Sequence, residues 1–228
     1  MIEHQLEAFA TVTPELARER ALLARCDCKY VVPASLVATL LPALAPSYAV
    51  HRVPAGCVAT YRSVYFDTPD LACLHAQLRI RIRQYPDRRI GFVELKRRHD
   101  DRSDKERLAV AYDACELGAA ARAFLRQHVG MLAGTLQATA VIEYRRIGLV
   151  GRTSEDRVSI DVDVAVGGAS GAARVWPLAE LAIVEVKRAA ASVDSPAMAV
   201  LAAAGARTTR LSKYVTAIEA MAPARGVA

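Results

Sequence analysis

Long apolar runs are missing from this sequence. No uninterrupted stretch comes near the roughly 18 residues a helix needs to cross a bilayer, and the start, MIEHQLEAF, carries acids where a secretion signal carries a basic flank and an apolar core. A cytoplasmic protein without a membrane span is expected. Aromatic residues are scarce at 6%, which leaves little material for stacking successive bases, so no nucleic-acid partner is expected. Paired cysteines are missing too: the five, at 26, 28, 57, 73 and 115, are odd in number and lack zinc-type CxxC spacing, in a chain large enough to fold without disulfides. Reduced thiols are expected, with Cys26 and Cys28 as small apolar groups on one side of a strand. The histidines are scattered without metal spacing, and no Ser-His-Asp or Cys-His order stands out. No repeat, linker or composition shift marks a domain boundary.

Charge is what the sequence does have. Of 228 residues, 53% are apolar and 24% charged, and Lys plus Arg outnumber Asp plus Glu by 30 to 24, a net +6 that makes polyanions plausible ligands. Thr13-Pro14-Glu15 is a helix start, with a capping hydroxyl and a pre-set first residue, and predicts a helix over 14–24. Val37, Leu40, Leu41 and Leu44 keep helical spacing, with Pro42 shortening or kinking the element. Further stripes fall at Leu117 to Leu125 and at Tyr214 to Met221, with an Ala-rich helix over 196–205. Between them lie short segments of alternating polarity from Arg25 onward, so the class is α+β with strands dominant.

Strand side chains two apart share a face. Arg79, Arg81 and Arg83 then lie opposite Ile80 and Ile82; Glu94 and Lys96 opposite Val93 and Leu95; Glu185 and Lys187 opposite Val184 and Val186. Arg25, Asp27 and Lys29 share a face, as do Arg157, Ser159, Asp161 and Asp163, and Lys105 and Arg107 fit the same pattern. A wet face of an ordinary sheet accounts for any one strand. Repetition in at least six segments favours a sheet curled into a closed barrel, charged face inward and helices outside. Such a lining suits phosphate chains, gripped by guanidinium groups, with carboxylates to hold a divalent cation. Crowding of like charge also predicts that Arg81 is dispensable for stability and Ile82 is not. Asp67, before Thr68-Pro69, is expected to cap a turn, and Tyr30, Tyr65 and Tyr214 to pack.

The segments RCDCKYVV (25–32), SVYFDTPDL (63–71), RIRIRQY (79–85), VELK (93–96), DKERL (104–108), YRR (144–146), RVSIDVD (157–163), VEVK (184–187) and RLSKY (210–214) resemble, in order, the VTC domain. That is the catalytic domain of the vacuolar transporter chaperone polyphosphate polymerase, a branch of the triphosphate tunnel metalloenzymes. The resemblance implies a closed eight-stranded antiparallel barrel with helices packed outside. It organises the chain as a leading helical segment over 1–24, the tunnel domain over 25–222 and a tail over 223–228.

Carried over residue by residue, the resemblance implies Lys29, Arg81, Arg83, Lys96, Arg146, Arg157 and Lys213 as the catalytic cations, and Lys105, Tyr144, Arg210 and Ser212 as further phosphate ligands. Arg25, Arg79, Arg107 and Lys187 join these from the alternation alone. Glu185 stands in the place of the family's metal-binding glutamate, and it is expected, with Glu94 and Asp161 as further carboxylates on the charged faces, to hold the divalent cofactor, Mn²⁺ or Mg²⁺. Arg25-x-Asp27-x-Lys29 replaces the wider superfamily's Glu-x-Glu-x-Lys opening, and its Arg favours the polymerase branch. The expected activity is ATP-dependent polyphosphate synthesis with ATP and polyphosphate as ligands, and any activating partner protein is unidentified. The alternatives are a tripolyphosphate or nucleoside triphosphate hydrolase of the same fold, and a non-catalytic polyphosphate-binding module.

Overall fold

The structure, a computed structural model, describes residues 2–20, 25–99, 102–169, 175–178, 180–189 and 195–221. Its strands are β1 (Ala10–Thr11), β2 (Arg25–Pro33), β3 (Tyr48–Val50), β4 (Val58–Asp67), β5 (Leu78–Tyr85), β6 (Ile90–His99), β7 (Arg102–Val110), β8 (Gln137–Gly151), β9 (Arg157–Gly168), β10 (Val175–Leu178) and β11 (Leu181–Ala189). Pairing is antiparallel throughout the main ladders, with helices beside them, so the α+β class holds. The chain forms two compact units: one of residues 1–59, 144–164 and 178–211, the other of 60–143, 165–177 and 212–228.

In the first unit β2, β11, β9 and β8 lie in that order, and β3 pairs with β8. Register fixes the faces: Tyr30, Val184 and Ile160 stand abreast, as do Cys28, Val186 and Val158. These rows form a core with Leu6 and with Val37, Leu40, Leu41 and Leu44 of helix Val37–Leu44, which runs through Pro42, and with Ala197 and Leu201 of helix Pro196–Ala203. Helix Pro14–Glu19 opens as expected, the Thr13 Oγ1 accepting from Leu16 N at 3.2 Å, but ends at Glu19; residues 21–24 of the expected span lie outside the described residues. Cys28 packs on the core, whereas Cys26, on the same side, is exposed; all five thiols are free.

The second unit is a meander, β4-β5-β6-β7. Val64, Ile82, Val93 and Leu95 bury one face against Ala121 and Leu125 of helix Ala119–Val129. Ile82 has no exposed surface. Ile82→Ala is expected to lower stability by about 2–5 kcal/mol in chemical denaturation, through lost transfer energy and a cavity; an unchanged midpoint would place this face outside the core.

Among the described residues neither run of strands closes on itself, so the closed eight-stranded barrel lies beyond what these pairings establish. One strand also departs from simple alternation. Asp163 adopts φ 53°, a left-handed conformation, and pairs at 2.5 Å with Arg145, whereas Asp161 pairs with Arg146. Arg145 and Arg146 are consecutive and face opposite ways, so Asp163 does not share the face of Asp161. The kink at Asp163 turns the strand over, in the manner of a bulge.

Candidate functional site

The first unit gathers its charges in cross-strand rows. Asp27, Lys187 and Arg157 form one row and Lys29, Glu185 and Ser159 the next, each across β2, β11 and β9. Lys187 Nζ lies 2.7 Å from Glu185 Oε2 and 3.3 Å from Asp27 Oδ2. Burial by itself would raise the pKa of Glu185, yet Lys187, Lys29 and Arg146 pull it down to about 2. From β8, Arg146 grips Asp161 with two parallel bonds, Nε to Oδ1 at 2.5 Å and Nη2 to Oδ2 at 2.7 Å, and lies over the Tyr144 ring. Asp161 is 1% exposed. The chain after Gly205 returns alongside β2: Thr209 N donates to Lys29 O, and Lys29 Nζ to Leu211 O at 3.0 Å, which brings exposed Arg210 to this edge.

The second unit repeats the arrangement. Tyr65, Arg81, Glu94 and Arg107 stand abreast across β4 to β7, with Arg79, Lys96 and Lys105 in the adjoining row. Arg81 donates to Glu94 Oε2 from Nε at 2.9 Å and Nη2 at 2.6 Å, and to the Tyr65 hydroxyl at 2.9 Å; Lys105 contacts Glu94 Oε1. Burial would raise the Glu94 pKa, but Arg81, Lys105 and Arg83 hold it near 2, while burial and the neighbouring arginines outweigh Glu94 and lower that of Lys105. Arg81 is thus the partner of a buried carboxylate, and against the expectation from crowding its loss is expected to cost stability, because Glu94 Oε2 would lose both of its bonds while Lys105 keeps only Oε1.

Asp67 fulfils its expected capping role. Its carboxylate accepts from the backbone of Thr68, Cys73 and Leu74 and from the Tyr214 hydroxyl at 3.0 Å. Tyr214 stacks on Tyr65, rings 4.7 Å apart and nearly parallel. One buried acid therefore steadies both the ring that meets Arg81 and helix Lys213–Met221, whose first turn closes where Thr216 N donates to Ser212 O. The Arg79 guanidinium is spent on the Leu74 and Leu78 carbonyls and on the Tyr214 face. Alternation did not reveal the rings that carry these guanidiniums, because tyrosine and phenylalanine on a polar strand face have no periodic signature of their own. The Arg25 side chain lies outside the described residues.

Among the described residues no three His, Cys, Asp or Glu side chains gather as a ready-made metal cage. Glu94 and Asp161 spend both oxygens on cations, and Glu185 gives Oε2 to Lys187. That donor set fits a metal bound by one carboxylate together with substrate phosphates, not one caged by protein alone. No described helix is long and apolar enough to cross a membrane.

The family described as the VTC domain matches residues 24–222. No curated protein matches the chain. Solved structures with a similar fold include a candidate adenylate cyclase from Bacillus halodurans, 11% identical with TM-score 0.57 over 85% of this chain and 96% of that one. Another, from Vibrio parahaemolyticus, is 13% identical with TM-score 0.54 over 87% and 99%. A third, from Hippeastrum, described as having a dominant triphosphatase activity, is 12% identical with TM-score 0.55 over 88% and 98%. At these identities the likeness speaks for the fold.

Proposed function

The chain belongs to the VTC domain family, and from that premise we propose that it is an ATP-dependent polyphosphate polymerase. A terminal oxygen of the growing chain attacks the γ-phosphorus of ATP, the bond from that phosphorus to the β,γ-bridging oxygen breaks, and ADP leaves. No protein nucleophile is needed, because phosphoryl transfer asks chiefly for positioning and charge neutralisation. The observation that carries this reading is the one-sidedness of the charge. Lys29, Arg146, Arg157 and Lys187 share a face in one unit, as do Arg81, Arg83, Lys96, Lys105 and Arg107 in the other, with aliphatic residues on the reverse.

These cations, with Tyr144, Arg210, Ser212 and Lys213, are proposed to bind and orient the phosphates. Glu185 would hold a divalent metal jointly with phosphate oxygens, and the metal, when bound, supplies further neutralisation of the triphosphate. Asp161 and Glu94 hold Arg146 and Arg81 in place. The closed barrel of the wider superfamily is proposed with this activity.

Hydrolysis of tripolyphosphate or a nucleoside triphosphate is the second reading, favoured by the activity described for the Hippeastrum neighbour. The two differ only in whether phosphate or water attacks. Purified protein incubated with ATP and Mn²⁺ or Mg²⁺, its products resolved on a gel, is expected to yield ladders of polyphosphate. Free phosphate alone would assign the hydrolase, and neither product would leave a binding module and overturn the enzyme.

A further inference from the structure

The charged face of the second unit changes character along its strands. Beyond the Tyr65-Arg81-Glu94-Arg107 row comes Ser63-Arg83-Phe92-Ala109, and beyond that Tyr85 beside Ile90. Tyr61 meets Tyr85 edge-on, ring centroids 5.1 Å apart, and Tyr85 meets Phe92 at 6.1 Å. The Arg83 guanidinium lies over both Tyr61 and Tyr85, at 4.7 and 5.4 Å, and Arg107 lies over Phe92 at 4.7 Å. All three rings are half-buried and keep part of their surface open to solvent, and Ile90 is 40% exposed.

These rings are not core. The core of this unit is on the reverse face, made by Val64, Ile82 and Val93. On a face that elsewhere carries ions, exposed aromatic and aliphatic surface is unfavourable until something flat and apolar covers it. The same side chains offer what a flat heterocycle wants: aromatic edges and faces, and guanidinium planes that stack on π systems.

We infer that the Tyr61, Tyr85, Phe92 and Ile90 end of this face seats the base of a nucleoside triphosphate whose phosphates lie on the neighbouring arginine and lysine rows. This rests on the phosphate-binding reading above. Successive same-face rows are about 6.7 Å apart, so the Tyr85 row stands about 13 Å from the Arg81 row, a span that a ribose and extended phosphates can bridge. The face then distinguishes a nucleotide donor from an inorganic phosphate chain, which has nothing to place on the rings.

Calorimetric titration of the full chain with ATP and, separately, inorganic tripolyphosphate, each with the same Mg²⁺, tests this. Tyr85→Leu is expected to weaken ATP about tenfold and tripolyphosphate by less than about twofold, with Tyr85→Phe restoring ATP. Should Tyr85→Leu fail to fold, Tyr61→Leu is read by the same two titrations. Equal losses for both ligands would mean that the rings only brace Arg83, and unchanged ATP affinity would mean that the base lies elsewhere; either overturns the inference while leaving phosphate binding intact. Wild-type protein that binds neither ligand overturns the phosphate reading and this one with it.

Discussion

Replacing Glu94 with glutamine is expected to cost on the order of 3–5 kcal/mol at neutral pH, because it leaves Arg81 and Lys105 facing each other without their shared anion. The carboxylate is 1% exposed and bound on both oxygens. Its pKa falls from 4.5 to about 2 on folding, against the opposing effect of burial. A depressed carboxylate stabilises the folded state fully above its unfolded pKa, here about 4.5, and that stabilisation disappears as pH drops toward 2. At 1.36 kcal/mol per pH unit the shift corresponds to roughly 3 kcal/mol. Melting temperatures across this acid range should therefore fall steeply for the natural protein and less steeply for Glu94→Gln. The slope should persist in part, since Glu185 is depressed to a similar value. Parallel curves would mean that Glu94 is not ionised in the folded state.

Glu185→Gln is expected to lower turnover by on the order of 10²-fold or more, measured as ADP released from ATP, while the protein still folds. Two effects converge on this side chain. Its Oε2 holds Lys187 at 2.7 Å, and Lys29 stands opposite it across the strand pair, so the amide would loosen two cations of the proposed phosphate surface. It is also the carboxylate proposed to share a metal with phosphate. Activity and metal dependence unchanged in Glu185→Gln would remove it from the site.

Alternation made much of this architecture readable in advance. A period of two needs only neighbouring residues to be visible, so the opposed sets Arg81/Ile82, Glu94/Val93 and Glu185/Val184 are legible in sequence and recur in the registers observed. The Thr13-Pro14 helix start and the Asp67 turn are equally local signals. The partners of these residues were not legible. Arg146 finding Asp161, or Tyr48 reaching Asp156 at 2.5 Å while Ser195 holds the same carboxylate, joins positions 15 to 108 residues apart through pairings that no short pattern encodes. Asp163 misled for a different reason. Alternation assumes an extended backbone, and a single left-handed residue reverses its parity.

The registers also bear on how the chain avoids misfolding. A slip of one residue between β5 and β6 would keep every backbone hydrogen-bond type available, but would set Arg81 beside Val93 or Leu95 instead of Glu94. For one strand to keep its aliphatic side on the helices, its partner would then have to drive arginines or a glutamate into that apolar layer, at a desolvation cost several-fold larger than a lost methyl contact. Mispaired hairpins are therefore discouraged at the first collapse, before any ligand is present. The charges that make the native face demanding to maintain also act as a proof-reading device for the ladder that carries them.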